Sequence, residues 1–415
     1  MSRVMESVGD FRARARKWIT SNLAPKEESA HFTEARVRNA QALQARMFDA
    51  GLAGITWPRE YGGQGLTVEH MRTLDDELRG YETPFRELSV SVGIVGPTLI
   101  ELGTEQQKSQ YLPRLLRGDD LWVQYFSEPT GGSDLAGAVT RATRDGDTWV
   151  LNGSKVWTTF GQWADYAMCL ARTDWSQPKH AGLSMLIVPV RSAGLTVVPL
   201  KKASGDSEFC EEFLEDVTVG VDAVVGSVND GWNVASRLLQ HERNALGGGS
   251  PWFSMGGGGE TSMDVGRDLA RRAAATGRWV DPVVRDRVAQ AHIDSVVGSQ
   301  LAGRVKVGMT GGQLPAPAGS LLKLFNATGH LRQTEAELAV GGPATVAWRG
   351  DDDRSRDAAM TFLIRQGGSL AGGSDEIQRN IISERLLGLP REPAPDKGIP
   401  YDQVRRNSQP TRSKP

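Results

Sequence analysis

The sequence predicts an α+β fold in three segregated blocks: helices, then a sheet, then helices again. Apolar residues recur at three-to-four spacing over the first 120 residues and again from Asn229 to Leu387. Between these blocks, short alternating runs such as TWVLNG, YAMCLAR, LSMLIVPV and LTVVPL are divided by Gly, Pro and Asp, in the manner of antiparallel strands. Large blocks of one type, without βαβ alternation, call for segregated layers. With 415 residues the chain exceeds one small core. The expected division is an N-terminal helical domain (1–120), a central antiparallel β domain (121–228), a C-terminal helical domain (229–392) and a polar tail (393–415).

In the first block, QALQARMFDAGLAGI sets Leu43, Met47 and Phe48 on one helical face before Gly51 stops the helix. The breaker-rich WPREYGGQGLT at 57–67 predicts a loop. The strand runs follow. In the third block Trp232, Ala235, Leu238 and Leu239 form an apolar stripe. The last helix is expected to end at Gly388, with Pro390 close behind. The tail KGIPYDQVRRNSQPTRSKP reads as a frayed, solvated end. Glycine clusters at 247–249 and 256–259 lack the Lys-Ser/Thr of a P-loop and read as a flexible inter-helix connection.

Hydrophobic residues make up 39% of the chain and charged residues 24%, ordinary values for a soluble globular protein. A net charge of −2 and a pI near 6.4 provide no field for nucleic acid or an anionic membrane. No apolar run approaches the roughly 18 residues of a membrane span. The N-terminus has no apolar core for a secretory signal, and Glu6 and Asp10 oppose an organellar address. Cys169 and Cys210 form neither a disulfide framework nor a metal pattern. The expectation is a cytoplasmic enzyme in a reducing compartment, with no metal.

Two places carry chemistry. GGSD beside strands offers close backbone approach and exposed N–H groups, with hydroxyls at Ser127 and Ser133. Trp157 and Thr159 would share one face of a strand, pairing a flat aromatic with a hydroxyl, an arrangement that suits an isoalloxazine ring. Read alone, these residues are better explained as a core tryptophan and an ordinary turn. The second place is Glu242, with Leu238 and Leu239 at i−4 and i−3 and Ala245 and Leu246 at i+3 and i+4. A carboxylate on an apolar stripe, without an intrahelical cation, has its pKa raised by desolvation, as a general base requires. The alternative is a carboxylate ion-paired to another domain.

The motifs SEPTGGSDLAG at 127–137, NGSKVWTT at 152–159 and ADYAMCLART at 164–173 resemble, in order and spacing, those of the acyl-CoA dehydrogenases, FAD-dependent enzymes that desaturate acyl-CoA thioesters. WPREYGGQG, GPTLIELGTEQQKSQYLPRLLRGD, NDGWNVASRLLQHER and GGSDEIQRNIISERLLGLPRE extend the likeness over nearly the whole chain to about residue 392. The resemblance implies a C-terminal four-helix bundle and FAD as cofactor. It implies that the stretch from Gln124 through Phe126 and Ser127 to Ser133 lines the flavin, that Ser133 also touches acyl-CoA, and that Trp157 and Thr159 pack on and hydrogen-bond to the ring. Arg271, Ser374 and Glu376 complete the implied cofactor set.

Many family members carry the catalytic glutamate in a C-terminal loop, at the position matching Gly372 here. Others carry it in an L-x-x-E-R motif on the helix after the sheet, which is Leu239-Gln240-His241-Glu242-Arg243. The resemblance therefore implies Glu242 as the base, Arg243, Gly372 and Gly373 near the acyl-CoA, and the Gly372 N–H as a donor to the thioester oxygen. It also implies an electron-transferring flavoprotein as oxidant and a homo- or heterotetramer, or dimer. The segments 271–279 and 339–348, which in relatives reach a neighbouring subunit's FAD, match only loosely; this altered pattern, with Gly at 372, resembles actinobacterial members, some of them heterotetramers acting on sterol side chains. The resemblance further implies branched or bulky acyl groups as substrates. Two rival readings stay open: a flavin monooxygenase- or oxidase-like member, and a non-catalytic subunit of a heteromeric enzyme.

Overall fold

The computed structural model describes residues 5–26, 32–246, 250, 265–347 and 353–404. The glycine clusters at 247–249 and 256–259, and the tail beyond 404, lie outside them.

The first block folds as α1 (Val8–Asn22), α2 (Glu34–Asp49), α3 (Val68–Leu78), α4 (Gly96–Leu102) and α5 (Glu105–Arg117). The WPREYGGQGLT segment is a compact loop that seats Trp57, fully buried, against Gly96. A Cβ on Gly96 would come within 2.1 Å of the Trp57 ring, so only glycine lets this indole close the loop onto the helix. Immediately before Gly96, residues Ser91–Val95 form a π-helical turn, a distortion frequent at functional sites. A capping box of Thr104 and Gln107 starts α5, and the Gln107 amide also donates to the carbonyls of Asp222 (2.7 Å) and Val224 (2.9 Å), tying the helix to the sheet domain.

The strands are β1 (Trp122–Tyr125), β2 (Arg141–Asp145), β3 (Thr148–Thr159), β4 (Tyr166–Arg172), β5 (Leu183–Pro189), β6 (Leu195–Leu200), β7 (Phe209–Gly220) and β8 (Val224–Val225). Their order is β6-β7-β3-β2-β4-β5-β8, with β1 beside β4. Pairing is antiparallel throughout except where β1 and β2 meet β4, both parallel. Strand β4 is buried on both faces. Met168 and Leu170 join the core shared with the helices, whereas Ala167, Cys169 and Ala171 join a second core on the other face. Both cysteines are free and buried.

The third block runs through α6 (Gly231–Leu246), α7 (Val265–Ala275), α8 (Pro282–Thr310), α9 (Gly319–Gly341), α10 (Pro343–Val346), α11 (Asp353–Ile364), α12 (Gly367–Leu370) and α13 (Asp375–Ile381). Helices α7, α8 and α9 close around Leu269, Val284, Val288, Ala336 and Val340. Helix α6 turns Val234, Ala235, Leu238 and Ala245 into the main core, between Leu99 and Leu115 of the first block and Leu183 and Met185 of β5. Among the described residues no helix is long and apolar enough to cross a membrane.

One expectation is overturned. Residues 399–404 do not fray: Tyr401 is 3% exposed, and its N–H donates to the Gln177 carbonyl (2.9 Å) while that of Asp402 donates to Trp175 (3.0 Å). The polar composition of this segment concealed one aromatic anchor, and burying it beside Trp175 offsets the entropy of ordering the segment.

Candidate active site

Strand β1 and the far end of β3 build the site's floor. The Trp122 N–H donates to the Ser91 hydroxyl (2.8 Å), which locks β1 to the π-helical turn. Gln124 lies on this strand, and Phe126 and Ser127 follow directly after its end. On β3 the ladder with β7 slips between Val156 and Thr158, leaving Trp157 as the extra residue of a β-bulge at φ 67°. Simple alternation would set Trp157 and Thr159 on one face and Val156 on the other. The bulge instead turns all three toward one recess, lined by Val90, Gln124, Phe126, Ser127, Val156, Trp157 and Thr159. A left-handed tryptophan costs free energy, and such strain persists where the surroundings impose it. Trp157 is also 60% exposed, so its ring is presented and not packed away.

Between them, Thr158 points to the opposite side and donates to the buried carboxylate of Glu212 (2.8 Å). Burial pushes the Glu212 carboxyl up to about 8, the Thr158 hydrogen bond opposing. The Val156 N–H donates to the Ser127 carbonyl (2.9 Å), so strand and motif loop are stitched together at the recess.

The loop itself is held by a buried ion pair. Lys155, fully buried, donates to Glu128 (2.9 Å) and to the carbonyls of Phe126 (3.1 Å) and Leu170 (2.7 Å). The two Glu128 oxygens in turn accept the N–H groups of Val139 (2.7 Å) and Thr140 (2.9 Å). Every charge-assisted bond is satisfied, the condition under which a buried pair is tolerated. Ser133 sits outside the recess, exposed in this loop.

Glu242 reaches the site from α6. It is 8% exposed, and its Oε2 accepts the Gln124 Nε2 proton at 2.9 Å. Gln124 thus spans the recess and the carboxylate, and its Oε1 is buried without a partner among the described residues. Burial holds the Glu242 carboxyl above the usual carboxylate range; the Gln124 hydrogen bond and the nearby charges of Arg243 and Lys323 oppose that rise. The absence of an intrahelical cation, expected from sequence, is corrected by Arg243, whose charge acts on Glu242 although its side chain is exposed.

Lys323 of α9, half-buried, lies within electrostatic reach of both Glu242 and Asp375 and donates to the Gly368 carbonyl. Gly372 and Gly373 are left-handed (φ 65° and 85°), their carbonyls both bonded by Gln378 Nε2 at 3.1 Å. Ser374 caps α13, while Glu376 in its first turn is exposed. Arg271 is 77% exposed on α7 and faces Asp268 at 3.5 Å. The structure therefore brings Gln124, Phe126, Ser127, Trp157, Thr159 and Glu242 together. Ser133, Arg243, Gly372, Gly373, Ser374, Glu376 and Arg271 are not among the residues lining the recess.

Sequence reasoning missed Val90, Lys323 and His241. The last is buried beside Glu242 with Nε2 3.3 Å from Glu101, and burial lowers its pKa. No sequence pattern singles out Val90, and nothing local distinguishes Lys323 from a surface lysine.

Three family profiles tile the chain: acyl-CoA dehydrogenase N-terminal domain over residues 6–119, middle domain over 124–217 and C-terminal domain over 229–387. The acyl-CoA dehydrogenase IpdE1 of Mycobacterium tuberculosis is 36% identical over 401 residues, spanning 94% of this chain and 99% of its own. Acyl-CoA dehydrogenase FadE26 of the same organism is 33% identical over 84% of this chain and 87% of its own. Among solved structures, the Tcur3481-Tcur3483 steroid ACAD matches with a TM-score of 0.73 at 28% identity, over 94% of this chain and 100% of that one. The ChsE4-ChsE5 complex of M. tuberculosis matches with a TM-score of 0.71 at 27% identity, over 94% and 100%.

Proposed function

Because this chain belongs to the acyl-CoA dehydrogenase family, an FAD-dependent group of oxidoreductases acting on acyl-CoA, we propose that it desaturates a thioester between Cα and Cβ with Glu242 as the base. The observation that carries this is the Gln124–Glu242 hydrogen bond, which joins a buried carboxylate to the recess. The recess residues fit a flavin. Trp157 offers an exposed flat wall, Ser127 and Thr159 offer hydroxyls, and Gln124 Oε1 is a buried acceptor awaiting a donor. FAD, when bound, supplies the acceptor for the hydride that leaves the β-carbon.

The chain's own residues do the rest. Glu242 takes the α-proton; its burial raises proton affinity, and Gln124 keeps one oxygen oriented so the other faces the substrate. Lys323 and Arg243 stabilise the ionised form that must precede catalysis. The Gly372 N–H donates to the thioester oxygen as charge builds there, a contribution of about 2–4 kcal/mol for such donors. Ser133 contacts the acyl-CoA from the motif loop, and an electron-transferring flavoprotein reoxidises the enzyme. Bulky, sterol-derived acyl groups are the substrate class, supported by the steroid enzyme among the similar structures.

A heteromeric assembly is favoured by the loose match of the 271–279 segment, which in relatives reaches a neighbouring subunit's FAD, and by two similar structures whose names pair two different chains. FAD retained more completely on expression with a paralogous partner than alone would be the expected result.

The test is anaerobic mixing of flavin-loaded protein with a panel of straight-chain, branched and steroid acyl-CoAs, following flavin absorbance. Bleaching is expected, slowed by about 10²–10⁴-fold in Glu242→Gln. Unchanged bleaching in the variant would remove Glu242 from the role.

A further inference from the structure

The chain's last described segment returns to the motif loop. Pro400 bridges to Pro178, and the Tyr401 hydroxyl donates to the Gly137 carbonyl, across 264 residues of sequence. The Tyr401 ring lies over the Arg172 guanidinium at 3.7 Å from its centroid, and Trp175 packs 5.8 Å away. Arg172 is fully buried and donates to the carbonyls of Ala136 (2.6 Å), Ala138 (3.1 Å) and Lys179 (3.1 Å). Lys179 in turn bonds Asp134 (2.7 Å) and stands 3.8 Å from Asp396 of the same returning segment.

Three carbonyls of the turn at 134–138 are therefore held by Tyr401 and Arg172, and its first side chain by Lys179. Ser133 is the residue directly before this turn. On its other side the loop is closed by the reciprocal bonds of Glu128 and Gly131 (3.1 and 2.9 Å). Ser133 is thus a short exposed link between two fixed points, and one of those points depends on the chain's end.

We propose that Tyr401 is a positioning residue for acyl-CoA binding: it straps the 134–138 turn to the β domain and so fixes Ser133, the residue read above as contacting the acyl-CoA. The role in affinity rests on the acyl-CoA reading above; the strap itself rests on the contacts. The ring also covers the buried guanidinium, a desolvated cation–π contact that strengthens its hold on the carbonyls. Tyr401 holds the turn by its hydroxyl and covers Arg172 by its ring, so its effect passes through the turn.

Two variants separate its two contacts. Tyr401→Phe removes the bond to Gly137 and keeps the ring over Arg172; Tyr401→Ala removes both. Free coenzyme A is titrated calorimetrically into full-length, FAD-loaded protein, and hydrogen exchange is followed in the peptide covering 134–138. Tyr401→Phe is expected to weaken coenzyme A binding by about three- to tenfold, because a loosened turn populates the binding-competent conformation only part of the time and must be ordered on binding. Tyr401→Ala should weaken it further. Exchange in the turn should quicken in both while FAD content and melting temperature of Tyr401→Phe stay at the native values. In turnover the same variant should raise KM with kcat unchanged. Native coenzyme A affinity in Tyr401→Phe, with native exchange in the turn, would overturn the proposal. Faster exchange without any affinity change would overturn the link to Ser133. Failure of the unaltered protein to bind coenzyme A would instead count against the acyl-CoA reading.

Discussion

At the residue scale, one side-chain pair decides the chemistry. Glu242 needs a raised proton affinity to act as a base, yet must be ionised before it can act. Burial supplies the first and Gln124 the second. The sign of the coupling gives a prediction. Gln124 donates to the carboxylate and so favours its ionised form; replacing it with leucine removes that preference. The acid limb of the kcat/KM profile should move to higher pH in Gln124→Leu, measured across the pH range with one acyl-CoA. A shift to lower pH, or none, would show that Gln124 does not tune the base. Glu242 was legible in the sequence because its apolar neighbours recur at helical spacing. Gln124 was legible only as a flavin neighbour, since no sequence pattern shows a contact bridging 118 residues. Lys323 was not legible at all for the same reason.

At the element scale, the end of β3 shows what period-two reading misses. A strict alternation places Trp157 and Thr159 together, and both do line the recess, but for another reason. The inserted residue bends the strand and brings Val156 in as well. A bulge depends on the register of a distant partner strand, here β7, which local alternation does not encode. Because Trp157 is mostly exposed, Trp157→Ala should change stability by no more than about 0.5 kcal/mol. The same change removes the recess's flat wall, so FAD affinity should fall by about tenfold or more, the scale of one lost aromatic stacking contact. Equilibrium FAD titration of the apoprotein, alongside chemical denaturation, separates the two effects. Loss of stability without loss of FAD would mean that the ring is a packing residue.

At the scale of the whole molecule, the three blocks meet on α6, whose inner face packs both the first block and the sheet while its far end carries Glu242. The block order was legible because helical and strand periods do not mix along the chain. The returning tail was not, because a single tyrosine gives no periodic signal. Global stability should carry the imprint of Glu212. Its carboxyl titrates near 8 when folded, against an ordinary value of 4.5. Below the lower value both states are protonated. Between the two, the unfolded chain ionises first, so stability is lost as pH rises until the folded carboxyl ionises as well. Glu212→Gln stays neutral, and its melting temperature should gain on the unaltered protein between about pH 5 and about pH 8. A constant difference across that range would contradict the buried, protonated carboxyl. The most direct test of the account lies in the proton that Glu242 removes. Flavin-loaded protein is held anaerobically in D₂O with octanoyl-CoA and with a steroid side-chain acyl-CoA, and deuterium at the thioester α-carbon is read by mass spectrometry. The unaltered chain should incorporate deuterium with at least one thioester, and Glu242→Gln should do so at least about a hundredfold more slowly. Equal incorporation by both would contradict Glu242 as the base.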